Sequence, residues 1–387
     1  MIPIIAIFLS EAYYNDTVYL VEGGSSMKKI VLTGGGTAGH VTPNIALIPR
    51  LREAGFELLY IGSYDGIERR LIEQSGIPYR GIASGKLRRY FDLKNFTDPF
   101  RVIKGYREAS SILREWKPDL VFSKGGYVAV PVVKAAQAQH IPVILHESDM
   151  TPGLANRLSY SAAVKICCNF AETLRYLPKE KAVLTGSPIR DELLSGNRER
   201  GYALTGFTPD RPVLLIIGGS LGSRAINAAV RAARPRLLNE FQILHLCGKG
   251  NVEEALSGQP DYLQFEYVSD ELKDYFALAD LMISRAGANA ICEILSLKKP
   301  NILIPLSAKA SRGDQILNAR SYEKAGYSFV LEEEKLTEFS LLAAVHETWN
   351  HRADYIRAMS ESPAGNGTEA VARLILETAL SSASQSD

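Results

Sequence analysis

The sequence of 387 residues contains no long hydrophobic run. No stretch of about 18 apolar residues occurs in it, so the sequence predicts a protein that does not span a membrane. An excess of one charge is also missing, because 44 basic and 43 acidic residues leave a net charge of +1 at pH 7. A chain with so balanced a charge has no overall attraction for nucleic acid or anionic membranes, and any such attraction must come from a local patch.

Cysteine is scarce and occurs only at Cys167, Cys168, Cys247 and Cys292. None of the four belongs to a CxxC pair, so the spacing predicts neither a zinc site nor a disulfide framework. Unpaired cysteines of this kind are typical of a reducing compartment, and we expect a cytoplasmic protein.

Two nucleotide-binding signatures are not satisfied. The pattern GxxxxGK[ST] of P-loop nucleoside triphosphatases does not occur. Gly34, Gly36 and Gly39 do form a GxGxxG pattern, but a dinucleotide site also needs an acidic residue at the end of the next strand to hold the ribose. That strand is predicted to end within residues 59–63, which contain no acidic residue, and we therefore do not expect NAD binding.

The chain instead contains one structural device twice. Residues 30–33 are an apolar strand that runs into the glycine-rich turn 34–40, and residues 213–217 run in the same way into the turn 218–223. Glycine lets backbone N–H groups approach a ligand closely, and the helix behind the turn offers unpaired N–H donors and the positive end of its dipole. Both turns therefore suit an anion such as a diphosphate.

Short apolar runs alternate with amphipathic stretches along the chain, which predicts an α/β protein built from parallel β-α-β units. The length exceeds what one core usually serves, so we expect two doubly wound, Rossmann-like domains with parallel sheets that face one cleft. The expected strands lie near residues 29–33, 57–61, 119–122, 142–145 and 164–168, and then near 213–217, 242–246, 263–267, 280–283 and 301–304.

Composition also predicts the domain boundaries. A flexible Gly-Gly-Ser-Ser joint precedes Met27, so residues 1–26 are interpreted as a non-native or disordered extension. The expected units are a first domain at 27–188, a polar and turn-rich hinge at 189–211, a second domain at 212–363, and a last helix at 368–381 that packs back on the first domain.

Several short motifs then follow one another in a fixed order. They are GGGTAGH at 34–40, GGY at 125–127, His146-Glu147, GSPIR at 186–190, GGSLG at 218–222, RAGA at 285–288, Glu293, and Asp314-Gln315 with Asn318. In this order they resemble the MurG family of bacterial N-acetylglucosaminyltransferases over essentially residues 27–380. Two positions depart from the family pattern, Leu221 in place of glutamine and Asp149 in place of asparagine.

The resemblance implies the GT-B fold, with the acceptor in the first domain and the nucleotide-sugar in the second. The implied reaction is the inverting transfer of GlcNAc from UDP-GlcNAc to the 4-hydroxyl of MurNAc in lipid I, the undecaprenyl-diphosphate-linked muramoyl-pentapeptide. It makes lipid II for peptidoglycan at the cytoplasmic face of the cell membrane. The implied partners are these two substrates, an anionic membrane surface and other cell-wall synthesis proteins, and no nucleic acid.

The resemblance also implies the site residues. His40 would be the catalytic residue, because a neutral imidazole can accept the proton of the acceptor hydroxyl near pH 7. Further substrate contacts are implied for Thr37, Ala38, Gly39, Asp149, Asn156, Arg190, Ser220, Val268, Gly287, Ala288, Asn289, Glu293 and Gln315. Glu293 would hold the ribose, and the backbone near Val268 would pair with uracil. Ser220 and Arg190 would contact the diphosphate, and Gln315 would contact the donor sugar. Neither a metal nor another cofactor is expected, because no DxD pair or His/carboxylate cluster occurs at these loops.

Each assignment has a structural alternative. His40 could order the turn, Asn156 could be a helix-surface amide, and Ser220 could be an N-cap. Arg190 could pair with a neighbouring acidic residue, and Glu293 could be a solvated helix residue. Two alternatives concern the whole protein: a related GT-B enzyme that acts on a diacylglycerol or natural-product acceptor, or a non-catalytic sensor of nucleotide-sugar.

A local patch with membrane character lies at residues 86–101. It interleaves the basic residues Lys86, Arg88, Arg89, Lys94 and Arg101 with the apolar residues Leu87, Tyr90, Phe91, Phe96 and Phe100. Apolar side chains can enter the headgroup boundary while the cations attract anionic lipid. This composition predicts a peripheral membrane protein, and the alternative is a loop whose aromatic residues pack into the core.

Overall fold

The computed structural model describes residues 27–85, 98–219, 221–308 and 313–381. The extension 1–26 and most of the patch 86–101 therefore lie outside the described residues. No helix within these ranges is long and apolar enough to cross a membrane.

Two parallel sheets organise the chain, and every strand pair in them is parallel. The first sheet has the order β3-β2-β1-β4-β5-β6-β7 and the second has the order β10-β9-β8-β11-β12-β13. The strands are β1 (Lys29–Thr33), β2 (Glu57–Ser63), β3 (Tyr79–Ile82), β4 (Leu120–Ser123), β5 (Val143–Glu147), β6 (Ala163–Cys168), β7 (Ala182–Leu184), β8 (Val213–Ile217), β9 (Gln242–Leu246), β10 (Tyr262–Phe265), β11 (Leu281–Ser284), β12 (Asn301–Leu303) and β13 (Phe329–Val330). The two doubly wound parallel sheets confirm the predicted α/β fold class.

Helices connect the strands and cover both sheets. They are α1 (Thr42–Glu53), α2 (Ile67–Gln74), α3 (Asp98–Trp116), α4 (Ala129–Ala138), α5 (Leu154–Ser159), α6 (Arg198–Thr205), α7 (Arg224–Leu237), α8 (Leu272–Leu278), α9 (Ala288–Leu297), α10 (Asp314–Lys324), α11 (Glu338–Asn350), α12 (Arg352–Ser360) and α13 (Gly367–Ser381). The central strands read as continuous apolar runs because both of their faces are buried against helices.

The strand order reverses once in each sheet, between β1 and β4 and between β8 and β11. Loops at the carboxyl ends of these four strands border a crevice, which is where ligands bind in open α/β sheets. Both glycine-rich turns, 34–40 and 218–223, follow a strand at a reversal point. The topology therefore places the predicted site loops at the two switch points.

The chain crosses between the two sheets twice, and the crossings are hydrogen-bonded to each other. The Ile189 amide donates to Oγ1 of Thr368 at 2.9 Å, and that hydroxyl donates to the Ile189 carbonyl at 2.8 Å. After the second crossing, α13 packs on the first sheet, where Val371 and Ile375 join the core cluster around β1. The last helix therefore braces the first half.

Residues 189–211, predicted to be a hinge, contain more structure than their polar composition indicated. They form a 3-10 turn at Asp191–Ser195 and the helix α6. Leu193 and Phe207 are buried in the core of the second half. Gly201 lets α6 approach α8 closely, since a Cβ there would lie 2.8 Å from the Asp274 carbonyl oxygen.

Candidate functional site

The first glycine turn, residues 34–40, packs tightly against the loop that follows β4 and contains Gly125 and Gly126. Gly36 has φ +86°, and a Cβ on it would lie 2.6 Å from the Tyr127 ring. Gly126, after β4, has φ +82°, and a Cβ there would lie 2.2 Å from the Gly35 carbonyl oxygen. The two turns meet at the switch point of the first sheet, and only glycine fits these contacts.

His40 ends the 3-10 turn Ala38–His40 that follows these glycines. Its Nδ1 lies 3.0 Å from Oγ1 of Thr37. Burial and the nearby Lys124 ammonium lower the pKa of His40 to about 4, against the opposing effects of a backbone hydrogen bond to Gly35 and the Glu68 carboxylate. The imidazole is therefore neutral at pH 7 and is able to accept a proton.

The second glycine turn packs in the same way against the loop that follows β9. Gly222 has φ +74°, and a Cβ there would lie 1.9 Å from the Cys247 carbonyl oxygen. Gly248 has φ +87°, and its Cβ would lie 2.2 Å from the Gly222 amide nitrogen. Ser220, predicted to bind the diphosphate from this turn, lies outside the described residues.

Helix α9 begins beside the His40 turn with an open N-terminus. Its N-cap is Gly287, with no side-chain cap and no acidic residue in the first turn. Such an end presents free N–H groups and a positive dipole end to an anion. The Asn289 side-chain amide donates to the Gly39 carbonyl at 3.3 Å, so the start of α9 touches the turn that carries His40.

A pocket of about 280 Å³ lies beside α9 in the second half. Arg190, Val268, Ala290 and Glu293 line it together with apolar residues of β8, β9 and α8. Burial raises the pKa of Glu293 to about 7, and the Arg190 charge opposes this shift. The structure thus brings together three predicted donor contacts, Arg190, Val268 and Glu293, and it places the partly buried Glu293 in the lining of a pocket.

Arg190 contacts a neighbour and also lines this pocket. Its Nη1 donates to Oε1 of Glu192 at 3.1 Å, as the structural alternative expected. Its buried Nε has no hydrogen-bond partner among the described residues. A buried guanidinium N–H without a partner is costly and is available to an anionic ligand.

Gln315 lies in the first turn of α10, directly after Asp314. Its Oε1 accepts the Leu306 amide at 3.1 Å, which fixes the orientation of the side chain. The terminal NH₂ is the remaining donor of this amide. The predicted contact from Gln315 to the donor sugar would therefore use that NH₂.

Asn156 and Glu147 build the loop that follows β5. The Asn156 amide donates to Oε2 of Glu147 at 2.9 Å and to the His146 carbonyl at 3.2 Å. The same carboxylate accepts the backbone amides of Asp149 and Gly153. Asn156 is buried, so its helix-surface alternative is wrong, and its described hydrogen bonds order the loop.

Asp149 faces the second half from this loop. Burial and the neighbouring Asp314 raise its pKa, while Lys124 and the Asn318 side chain act in the opposite direction. The carboxylate therefore lies where α10 approaches the first half. A substrate contact from Asp149 remains a prediction.

Lys124, which was not singled out from the sequence, forms a buried pair with His146 of the His146-Glu147 motif. The Lys124 ammonium donates to Nδ1 of His146 at 2.8 Å and to the Ser148 hydroxyl at 2.7 Å. Nε2 of His146 donates to the Gly186 carbonyl at 2.9 Å, at the first crossing between the halves. Burial and Lys124 lower the pKa of His146, which keeps this imidazole neutral.

The described residues contain no group of three His, Cys, Asp or Glu side chains that could hold a metal ion. What the cleft does offer is an open helix end, a guanidinium N–H and a neutral imidazole. Groups of these kinds are suited to bind an anion and to accept a proton, which are the requirements for moving a group away from a diphosphate.

Comparisons with known proteins agree with this arrangement. The N-terminal domain of glycosyltransferase family 28 matches residues 30–168, and its C-terminal domain matches residues 213–375. A relative from Lachnospira eligens is 61% identical over 349 residues, 90% of this chain and 99% of its own length. It is named UDP-N-acetylglucosamine–N-acetylmuramyl-(pentapeptide) pyrophosphoryl-undecaprenol N-acetylglucosamine transferase.

Two solved structures show the same architecture. MurG from Acinetobacter baumannii superposes with a TM-score of 0.71 at 27% identity and covers 90% of this chain and 99% of its own. The glycosyltransferase of kitacinnamycin has a TM-score of 0.65 at 15% identity, over 92% of this chain and 100% of its own, which shows the fold alone. The chain therefore belongs to glycosyltransferase family 28 and, within it, to the MurG family of N-acetylglucosamine transferases.

Proposed function

We propose that the protein transfers GlcNAc from UDP-GlcNAc to the muramoyl sugar of lipid I, the undecaprenyl-diphosphate-linked pentapeptide. The observation that carries this proposal is the contact between Asn289 and Gly39, which joins the donor helix α9 to the His40 turn. The activity named for the 61% identical relative supports the same substrates.

The donor is assigned to the pocket beside α9. The Glu293 carboxylate accepts the ribose hydroxyls, and the backbone at Val268 pairs with uracil at the pocket floor. The diphosphate lies between the α9 N-terminus, formed by Gly287, Ala288 and Asn289, and the Arg190 guanidinium. These donors stabilise the negative charge that grows on the leaving UDP.

The acceptor is assigned to the cleft wall formed by residues 37–40 and by the loop with Asp149 and Asn156. The acceptor O–H bond breaks as its proton moves to the His40 imidazole, and the oxygen attacks C1 of GlcNAc. The C1–O bond to the diphosphate breaks with its electron pair on UDP. Attack opposite the leaving group inverts the anomeric centre.

An acceptor-competition assay tests this function. Purified protein is given UDP-GlcNAc with a soluble lipid I analogue, a diacylglycerol or a small aromatic aglycone, and UDP release is measured for each. We expect release only with the lipid I analogue. Release with diacylglycerol alone would establish the alternative GT-B function, and tight UDP-GlcNAc binding without turnover on any acceptor would establish a sensor.

We further propose that the protein binds the membrane surface peripherally through the start of α3. Phe100 and Ile103 are 75% and 52% exposed there, beside the exposed Lys104. They adjoin the basic and aromatic residues 86–97, which lie outside the described residues. Exposed apolar side chains with neighbouring cations suit an anionic lipid surface.

A further inference from the structure

Glu68 is a fully buried carboxylate beneath the first glycine turn. Its Oε2 accepts the Gly36 amide at 3.3 Å, and its Oε1 accepts the Ser63 amide at 3.1 Å and the Ser63 hydroxyl at 2.5 Å. A buried anion is costly unless hydrogen bonds compensate it. Three donors and a place in the first turn of α2, near its positive end, supply that compensation.

The backbone around this carboxylate is built from glycine in three separate segments. A Cβ on Gly35 would lie 2.7 Å from the Glu68 carboxyl carbon, one on Gly62 would lie 2.9 Å from its Cγ, and one on Gly66 would overlap its oxygen atoms. The end of β1, the end of β2 and the start of α2 thus all leave room for one side chain. The space is fitted to a carboxylate at this position.

No cation in the described part of the chain pairs with Glu68. The titratable groups that face it are the phenols Tyr60, Tyr79 and Tyr127, whose pKa values are raised chiefly by burial and also by this carboxylate. All three are neutral at pH 7. The negative charge of Glu68 therefore has hydrogen-bond donors but no cationic partner among the described residues, and it lies directly behind the turn that carries His40.

Gly35 connects this charge to His40. The Cα of Gly35 faces the Glu68 carboxyl group, and the backbone of Gly35 forms a hydrogen bond with the His40 ring. Two charged groups act on His40, Glu68 and Lys124. The Lys124 ammonium, directly after β4, opposes protonation of the His40 ring. Glu68 is the charge that favours the protonated ring.

We propose that Glu68 is a positioning residue of the transfer reaction: it holds the first glycine turn in place and stabilises the imidazolium that forms when His40 takes the acceptor proton. This inference rests on the proposed function for its kinetic consequence. It also implies that the Gly36 amide is occupied by the protein's own carboxylate and does not bind a substrate phosphate.

Glu68→Gln tests the proposal, because it removes the charge and nearly preserves the shape. We expect kcat to fall by about tenfold or more, since one pKa unit of lost stabilisation corresponds to a factor of ten. The donor KM should change less than about twofold, because the donor pocket lies in the other half. Glu73→Gln on the exposed face of the same helix is the matched control and should behave as wild type.

The pH profile separates the charge from a merely structural role. The acidic limb of kcat reports His40 in the substrate complex, and loss of a charge that favours the protonated ring moves this limb to lower pH. An equal loss of kcat at every pH, with the limb unmoved in a folded variant, would overturn the proposal. If Glu68→Gln does not fold, Glu68→Asp keeps the charge and must keep the limb in place, and a displaced limb would refute the charge role.

A substrate-free measurement keeps this inference distinct from the proposed function. The ring ¹⁵N shifts of His40, followed by NMR from pH 6 downwards, give its pKa in the unliganded protein. Glu68→Gln should lower this pKa, whichever acceptor the enzyme uses. An unchanged or raised His40 pKa in Glu68→Gln would contradict the electrostatic role even if lipid I is the substrate.

Discussion

At the scale of single residues, the environment of Glu293 differs from what its sequence position suggests. It lies one turn into a helix, where a glutamate is ordinarily solvated, yet it faces a pocket and its pKa is raised to about 7 by burial. A carboxylate whose pKa is raised towards neutrality can change its charge when a ligand binds.

Glu293→Ala is expected to raise the donor KM by roughly ten- to a hundredfold, because a hydrogen bond to a charged group is worth about 1.5–3 kcal/mol. The fall in kcat with saturating donor should be small. Steady-state kinetics with varied UDP-GlcNAc measures both. An unchanged donor KM would remove Glu293 from the ribose site.

The same carboxyl group predicts a pH dependence of donor binding. The ionised form accepts the ribose hydroxyls, so donor affinity should rise as pH increases through about 7, the pKa of Glu293 in the free protein. Calorimetric titration with UDP between pH 6 and pH 8 measures it. Glu293→Gln should flatten the profile, and a wild-type affinity that falls over this range would contradict the assignment.

At the scale of elements, most strands could be predicted from apolar runs, while three of the four edge strands could not. β3, β7 and β13 were not predicted, because they are two to four residues long and only partly buried, so they carry little apolar signal. Helix α6 was hidden by its polar sequence and is held by packing on α8. The glycine turns were visible because their backbone geometry requires a specific residue type.

The role of Glu68 could not be read from its position in the chain. A dinucleotide-binding site requires an acidic residue at the end of β2. Glu68 does not meet this requirement, because it lies five residues beyond Ser63, inside α2. Only the fold turns its side chain back onto Ser63 and Gly36. The sequence signal for a close contact at this place was the pair of glycines between which the chain leaves β2 and enters α2, Gly62 and Gly66.

Two glycines with the same φ allow backbone strain to be separated from close packing. Gly222 and Gly258 both have φ +74°, but a Cβ would meet the Cys247 carbonyl oxygen at the first and nothing within 4 Å at the second. Gly258→Ala should cost only about 1 kcal/mol of stability from strain. Gly222→Ala should cost more and should also weaken UDP binding.

Thermal unfolding and UDP titration of these two variants measure the difference. Equal losses of stability, with UDP binding intact in both, would mean that the interlocked turns 218–223 and 247–248 do not shape the donor site.

At the scale of the whole molecule, paired crossings join the two halves, and the start of α3 in the first half exposes the apolar side chains of Phe100 and Ile103. The double substitution Phe100→Ser with Ile103→Ser should reduce sedimentation with anionic vesicles, because burial of apolar surface is worth about 25 cal/mol per Å². Added salt should weaken the remaining binding, since the Debye length is about 8 Å at physiological ionic strength.

Phe339, which is 67% exposed on α11 in the other half, supplies the control. Phe339→Ser should sediment with vesicles as wild type does. Equal release by both substitutions would mean that membrane contact is not confined to the start of α3, and deletion of residues 1–26 should leave binding unchanged.

The most direct test of the central claim is the formation of GlcNAc-bearing lipid product from UDP-GlcNAc and a lipid I analogue, compared between wild type and His40→Ala. We predict product in wild type, with little effect of EDTA, and a kcat lower by roughly 10²–10⁴ in His40→Ala, the range for loss of a general base, with UDP binding intact. No product from wild type, or a His40→Ala variant within a few-fold of wild type, would contradict the account.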